Sequence, residues 1–177
     1  GNNDDGQCDV PANIVNVKAV SAGEDYSVAL KEDGTVVAWG GNHFNYGQCD
    51  VPSDLNNVKA ISAGERHTLA LKEDGEVVAW GDNYYGHNIP VGLKNVKAIS
   101  AGNDYTVVLK EDGTVVARGK NKEGQCNVPK NLGSVKAISA GWNHTVALQV
   151  DGTVVEWGDE ECVQYNATPD LSYVKEI

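Results

Sequence analysis

Four copies of one 20-residue spelling constrain what this chain of 177 residues can fold into. They run from Ser21 to Gly40, Ser62 to Gly81, Ser100 to Gly119 and Ser139 to Gly158, and their glycines Gly23, Gly64, Gly102 and Gly141 stand 41, 38 and 39 residues apart. A period in that range denotes a propeller, solenoid or array, in which one unit cannot bury its apolar faces alone.

Each copy is spelled as a hairpin. An alternating run such as Ser27-Val28-Ala29-Leu30 leads to Asp33-Gly34, and Thr35-Val36-Val37-Ala38-Trp39 follows, rich in β-branched and aromatic residues. Asp-Gly tolerates the positive φ of a tight turn, so two strands should fold back there, and again at Asp74-Gly75, Asp112-Gly113 and Asp151-Gly152. Upstream of each serine lies a third segment, Val17-Lys18-Ala19-Val20 and its counterparts from Val58, Val96 and Val135. These segments are long enough for a strand and too short for a helix. The prediction is an all-β protein with three strands per repeat and a possible fourth short strand near the following Val-Pro. One domain over 1–177 is expected, with repeats starting near 17, 58, 96 and 135 and partial repeats at 1–16 and 173–177.

The spellings Ser-Ala-Gly-x-x-[Tyr/His]-[Ser/Thr]-x-[Ala/Val]-Leu, Asp-Gly-x-Val-Val-x-Trp-Gly, Asn-x-x-Gly-Gln and Val-Pro resemble the RCC1-type β-propeller repeat, most closely its bacterial form in the β-lactamase-inhibitor-protein-II-like proteins. The resemblance covers nearly the whole chain. It implies a propeller and leaves function open, because one fold serves many roles. Propellers of this kind usually have seven blades at about 51° each, so four would cover about 206° and leave two apolar faces bare. The chain is then a part of a longer propeller, half of a homodimeric ring, or a tightened four-bladed ring. By resemblance alone, a bacterial secreted or cell-surface location is favoured. Gly1 to Pro11 read as the end of a repeat, so residue 1 is not expected to be the native start.

Composition narrows the partners. The 14 basic and 25 acidic residues give a net charge of -11, which repels phosphate backbones, so no nucleic-acid partner is expected. No run of 18 or more apolar residues and no basic-then-apolar leader occurs, so no membrane partner is expected.

Aligning the copies tests each candidate chemical group. His67 and His144 share a column with Tyr26 and Tyr105, and a position that takes either ring is structural. Ser21, Ser62, Ser100 and Ser139 recur in every copy, none in a nucleophile elbow. Cys8, Cys49 and Cys126 occupy equivalent places on different blades and are expected as free thiols, whereas Cys162 breaks the register and its pairing stays open. No cofactor, metal site or enzymatic activity is predicted. Gly23, Gly64, Gly102 and Gly141 mark a backbone position needing positive φ or close approach of another strand. Trp39, Trp80 and Trp157 form a packing column that Arg118 interrupts.

The variable segment after each Trp-Gly (or Arg-Gly) carries the functional signal. Equivalent loops should gather at one rim, and they hold Phe44, the chain's one phenylalanine, with His43, Tyr46, Tyr84 and Tyr85, while Trp142 replaces Glu24, Glu65 and Asn103 in a neighbouring loop column. Aromatic residues on variable loops over a rigid scaffold are suited to gripping another protein. The expectation is a non-enzymatic protein-binding scaffold. The alternatives are a structural repeat segment of a larger secreted or surface protein and, more narrowly, a β-lactamase-inhibitor-like protein. His87, in the second loop, is a further contact candidate.

Overall fold

The computed structural model describes residues 2–86 and 93–159, so His87, Cys162 and the segment 173–177 lie outside the described residues. Among the described residues twelve strands form four three-stranded antiparallel sheets, one per repeat. The first sheet is β1 (Val17–Ala22), β2 (Tyr26–Lys31) and β3 (Val36–Gly40). The second holds β4 (Val58–Ala63), β5 (His67–Lys72) and β6 (Val77–Gly81), and the third β7 (Val96–Ala101), β8 (Tyr105–Lys110) and β9 (Val115–Gly119). The fourth holds β10 (Val135–Ala140), β11 (His144–Gln149) and β12 (Val154–Gly158). Strand order follows chain order in every sheet, and no strand forms near the Val-Pro pairs, which instead sit in turns such as Leu55 N–H to Pro52 O.

Consecutive sheets stack face to face, as propeller blades do. Their cores lie between blades: Leu30 meets Val58 and Ala70, Leu71 meets Val96 and Val108, and Leu109 meets Val135 and Ala147. Each of these leucines contributes about 1.5–3 kcal/mol by burial. Because blades cover them on both sides, the middle strands β5 and β8 are buried over five consecutive residues and not in the alternation expected from the sequence.

Polar stitches fix the stacking angle. Ser21 Oγ accepts the Ala63 amide at 2.9 Å, Ser62 Oγ that of Ala101 at 3.0 Å, and Ser100 Oγ that of Ala140 at 2.9 Å. The serine column is thus a row of bonds from each blade to the next.

Two local features depart from the simplest reading. Each first strand carries a bulge at its lysine, between Val17 and Ala19 and at the three equivalent places, which lets Lys18 Nζ reach the Val58 carbonyl at 3.4 Å. The hairpin turns are also longer than two residues. Only the glycine adopts positive φ, 81° at Gly34, and Asp33 serves as an acceptor for the Thr35 amide and hydroxyl at 3.0 and 2.6 Å. Those bonds, led by the Thr35 hydroxyl, lower the Asp33 carboxyl from its ordinary 3.8 to about 2, and Asp112 behaves alike with Thr114. A lowered folded pKa means that the turns contribute stability above the ordinary carboxylate range and lose it as pH falls through about 2.

The arc is open at its first blade. Val58, Val96 and Val135 are 1%, 0% and 3% exposed under the preceding blade, whereas Val17 in the same column is 38% exposed and Val20 is 74% exposed.

Candidate functional site

The Gly-x-x turns and the variable loops emerge at one end of the blades. Backbone bonds tie them together: the Asp25 carbonyl accepts the Gly41 amide at 2.8 Å, Arg66 that of Asp82 at 2.9 Å, Asp104 that of Lys120 at 2.9 Å and Asn143 that of Asp159 at 3.0 Å. The Asp-Gly hairpins lie at the opposite end, where Gly34, Gly75 and Gly113 carbonyls accept the amides of Val58, Val96 and Val135.

Buried glutamines set the loop shapes. Gln48 is buried; its Oε1 accepts the Tyr46 amide at 2.6 Å and its Nε2 donates to the Phe44 carbonyl at 2.7 Å. Its own carbonyl accepts Thr68 Oγ1 and Trp80 Nε1, both at 2.9 Å. The Trp column therefore clasps the preceding loop: Trp39 bonds the Gln7 carbonyl and Trp157 that of Gln125, each at 3.0 Å. Where the sequence has His87 instead of glutamine, the next blade has Arg118 instead of tryptophan, and Arg118 is exposed.

All five aromatic residues singled out from sequence are exposed on this end. Phe44 lines two cavities. One, with His43, Asp4, Asp5 and Asp25, has a volume of about 590 Å³, and the His43 amide and ring nitrogen both approach Asp5 Oδ1, at 2.8 and 3.4 Å. The other, about 200 Å³, brings Phe44 and Tyr46 to Glu24, Asp25, Glu65 and Arg66. Trp142 instead faces a hollow of about 230 Å³ around which the Ala-Gly-x turns of all four repeats converge. Tyr84 and Tyr85 pack edge to face, with ring centroids 5.0 Å apart, and line none of these three hollows. The structure thus groups His43, Phe44 and Tyr46 and leaves the other three rings apart.

Sequence reading passed over the charged groups between these rings. Arg66 Nη2 lies 3.1 Å from Glu65 Oε1, and its guanidinium sits 4.8 Å above the Tyr46 ring. Burial, then the Asp104 carboxylate, pushes the Glu65 carboxyl up, against the pull of Arg66. The signal was available: in the column of Asp25, Arg66, Asp104 and Asn143, Arg66 is the one cation and stands where two other copies have aspartate.

The rings of Tyr26, His67 and Tyr105 each reach the next blade. His67 is fully buried, with Nε2 3.0 Å from Thr106 Oγ1 of the next blade. Tyr26 and Tyr105 donate to the carbonyls of His67 and His144, again one blade on. Cys8, Cys49 and Cys126 are free thiols; burial raises the Cys49 thiol and lifts Cys126 to about 11. Among the described residues no three His, Cys, Asp or Glu side chains are grouped to hold a metal, and no helix is long and apolar enough to cross a membrane, which says nothing of a β-barrel.

These stacked, interlocked sheets define a β-propeller repeat protein. The Regulator of chromosome condensation (RCC1) repeat matches residues 17–48, 58–86, 96–125 and 135–164, and the chain belongs to that family. Among solved structures it is similar to Prp20p of Saccharomyces cerevisiae, at 23% identity and a TM-score of 0.69 over 80% of this chain and 45% of that one. Human WBSCR16 matches at 18% identity and a TM-score of 0.70, covering 87% and 51% of the two chains. The ectodomain of the Physcomitrella patens receptor kinase CR4 matches at 25% and 0.66, covering 80% and 40%. The chain thus spans about half or less of these structures' lengths. No curated protein sequence matches it.

Proposed function

We propose that this chain is a non-enzymatic protein-binding scaffold that holds its partner with the variable loops at one end of the blades. The observation that carries the reading is the pairing of exposed rings with a buried frame: Phe44 and Tyr46 project from a loop whose backbone Gln48 and Trp80 hold in place. Ordering such a loop beforehand lowers the entropy lost on binding. Prp20p, of similar fold, has been studied for its binding to Gsp1p and histones and, as yeast RCC1, bound to Kap60. A charge of -11 disfavours nucleic acid as the partner here. The narrower β-lactamase-inhibitor-like version rests on the spelling of the repeats and on none of these loops.

Hydrogen exchange with a partner cross-linked from native extract tests this. Slowed exchange is expected in loops 41–48 and 82–86 and not at the Asp33-Gly34 and Asp74-Gly75 turns. Protection confined to the hairpin end would overturn it.

The open first blade favours a second, compatible reading. Its exposed Val17 and Val20 occupy the columns that blade-on-blade packing covers elsewhere, so a second copy completing the ring, or further repeats of a larger protein, would fit there.

A further inference from the structure

We infer that the cavity between the first two blades, lined by Glu24, Asp25, Phe44, Tyr46, Glu65 and Arg66, binds an arginine side chain presented by the partner protein. The inference rests on the protein-binding reading and gives that site its chemistry.

Three observations converge on it. The Glu65 side chain is only 9% exposed, and while Oε1 pairs with Arg66, its buried Oε2 meets no donor; the Glu24 carboxyl, another acceptor, approaches the same side chain. Across the blade boundary Asp104 is buried too, with Oδ1 equally unsatisfied. Buried carboxylate oxygens without donors are costly and call for a cationic donor. Second, charge is unbalanced: Glu24, Asp25, Glu65 and Asp104 surround one cation, Arg66, and neither Glu24 nor Asp25 is ion-paired among the described residues. The nearby Lys120 is engaged with Asn103 Oδ1 at 2.6 Å. Third, the site already accommodates this chemistry, because the Arg66 guanidinium lies over Tyr46 while paired to Glu65.

A guanidinium fits better than the alternatives. Its plane can stack on the exposed Phe44 ring while its fork of N–H groups serves two carboxylates, whereas an ammonium offers a point charge and no face. A bare metal ion is disfavoured, since no three candidate ligands are grouped among the described residues.

The probe is the blocked peptide Gly-Arg-Gly-Arg-Gly, titrated into the full chain and followed by NMR at low ionic strength. Two control peptides carry citrulline, a neutral isostere, or lysine in place of arginine. The arginine peptide should shift the Phe44, Tyr46 and Arg66 signals to saturation. The citrulline peptide should bind about 10- to 100-fold more weakly, and the lysine peptide several-fold more weakly. The isosteric double variant Glu24→Gln, Asp25→Asn, whose spectrum reports whether it is folded, should lose at least about tenfold in affinity for the arginine peptide. Equal binding of the citrulline peptide overturns the inference. So does an unchanged affinity of the double variant, or lysine and arginine peptides that shift signals alike over the whole acidic surface. If the arginine peptide fails while alanine at Phe44 still releases a captured partner, the scaffold reading stands and this inference alone falls. If the peptide binds but no partner competes with it, the arginine site stands and the scaffold reading falls.

Discussion

Gly64→Val lowers the stability of the chain by roughly 3 kcal/mol or more, while Glu65→Gln beside it changes stability by less than about 1 kcal/mol. A Cβ at Gly64 would lie 2.7 Å from the Gly102 carbonyl of the next blade and 2.7 Å from the His67 ring. Neither neighbour can yield. The His67 ring is fully buried against Thr106, and the Gly102 carbonyl belongs to a turn closed by the Gly102 amide on the Tyr105 carbonyl at 2.8 Å. Positive φ plays no part at Gly64; the glycine column exists to admit the ring three residues on, Tyr26, His67, Tyr105 or His144 in turn. At a denaturant slope of about 2 kcal/mol per molar urea, the valine variant should unfold about 1.5 M earlier than wild type. Gly64→Ala should lie between the two. Similar midpoints for Gly64→Val and Glu65→Gln would remove the steric account.

The second large effect concerns the open face. Val17 and Val20, with Val15 alongside, present an apolar strip where every other blade presents a covered one. Monomeric proteins rarely leave such strips bare, because water removal at about 25 cal/mol per Å² favours covering them. Light scattering of the isolated chain should give twice the chain mass of 18.8 kDa, and Val17→Asp with Val20→Asp should return it to the chain mass. The double substitution places charges on exposed positions, so the blade itself should stay folded. A monodisperse species of single-chain mass at millimolar concentration, in wild type and variant alike, would exclude a second copy as the cover.

Much of this architecture was legible from spelling. The 38- to 41-residue period, the Asp-Gly hairpins and the Val-Lys-Ala segments place all twelve strands, because strand and turn signals are local in sequence. The links between blades were not legible. Trp80 Nε1 reaches the Gln48 carbonyl 32 positions back and Ser21 Oγ reaches Ala63 42 positions on, and a backbone acceptor leaves no mark on residue identity. Asn16, Asn57 and Asn95, at φ of 57°, 53° and 60°, were missed for another reason: asparagine before a strand reads as an ordinary loop residue, although it tolerates the left-handed region. The rings of the candidate site stood out because they break columns that otherwise repeat. Glu65 and Asp104 did not, since a carboxylate in a turn is read as solvated, and only blade stacking buries them.

The central claim is that two separate sets of residues carry the fold and the binding. Its most direct test is one variant with alanine at Phe44, Tyr84 and Tyr85, compared with wild type for melting temperature and for capture of the partner cross-linked from native extract. These rings are exposed, and Gln48 holds the Phe44 loop through its backbone, so melting should stay within about 2 °C. Interface rings commonly contribute about 2 kcal/mol or more each, so partner affinity should fall by at least about 30-fold. Unchanged melting with lost capture is the predicted result; a large fall in melting temperature, or capture undiminished, would contradict it.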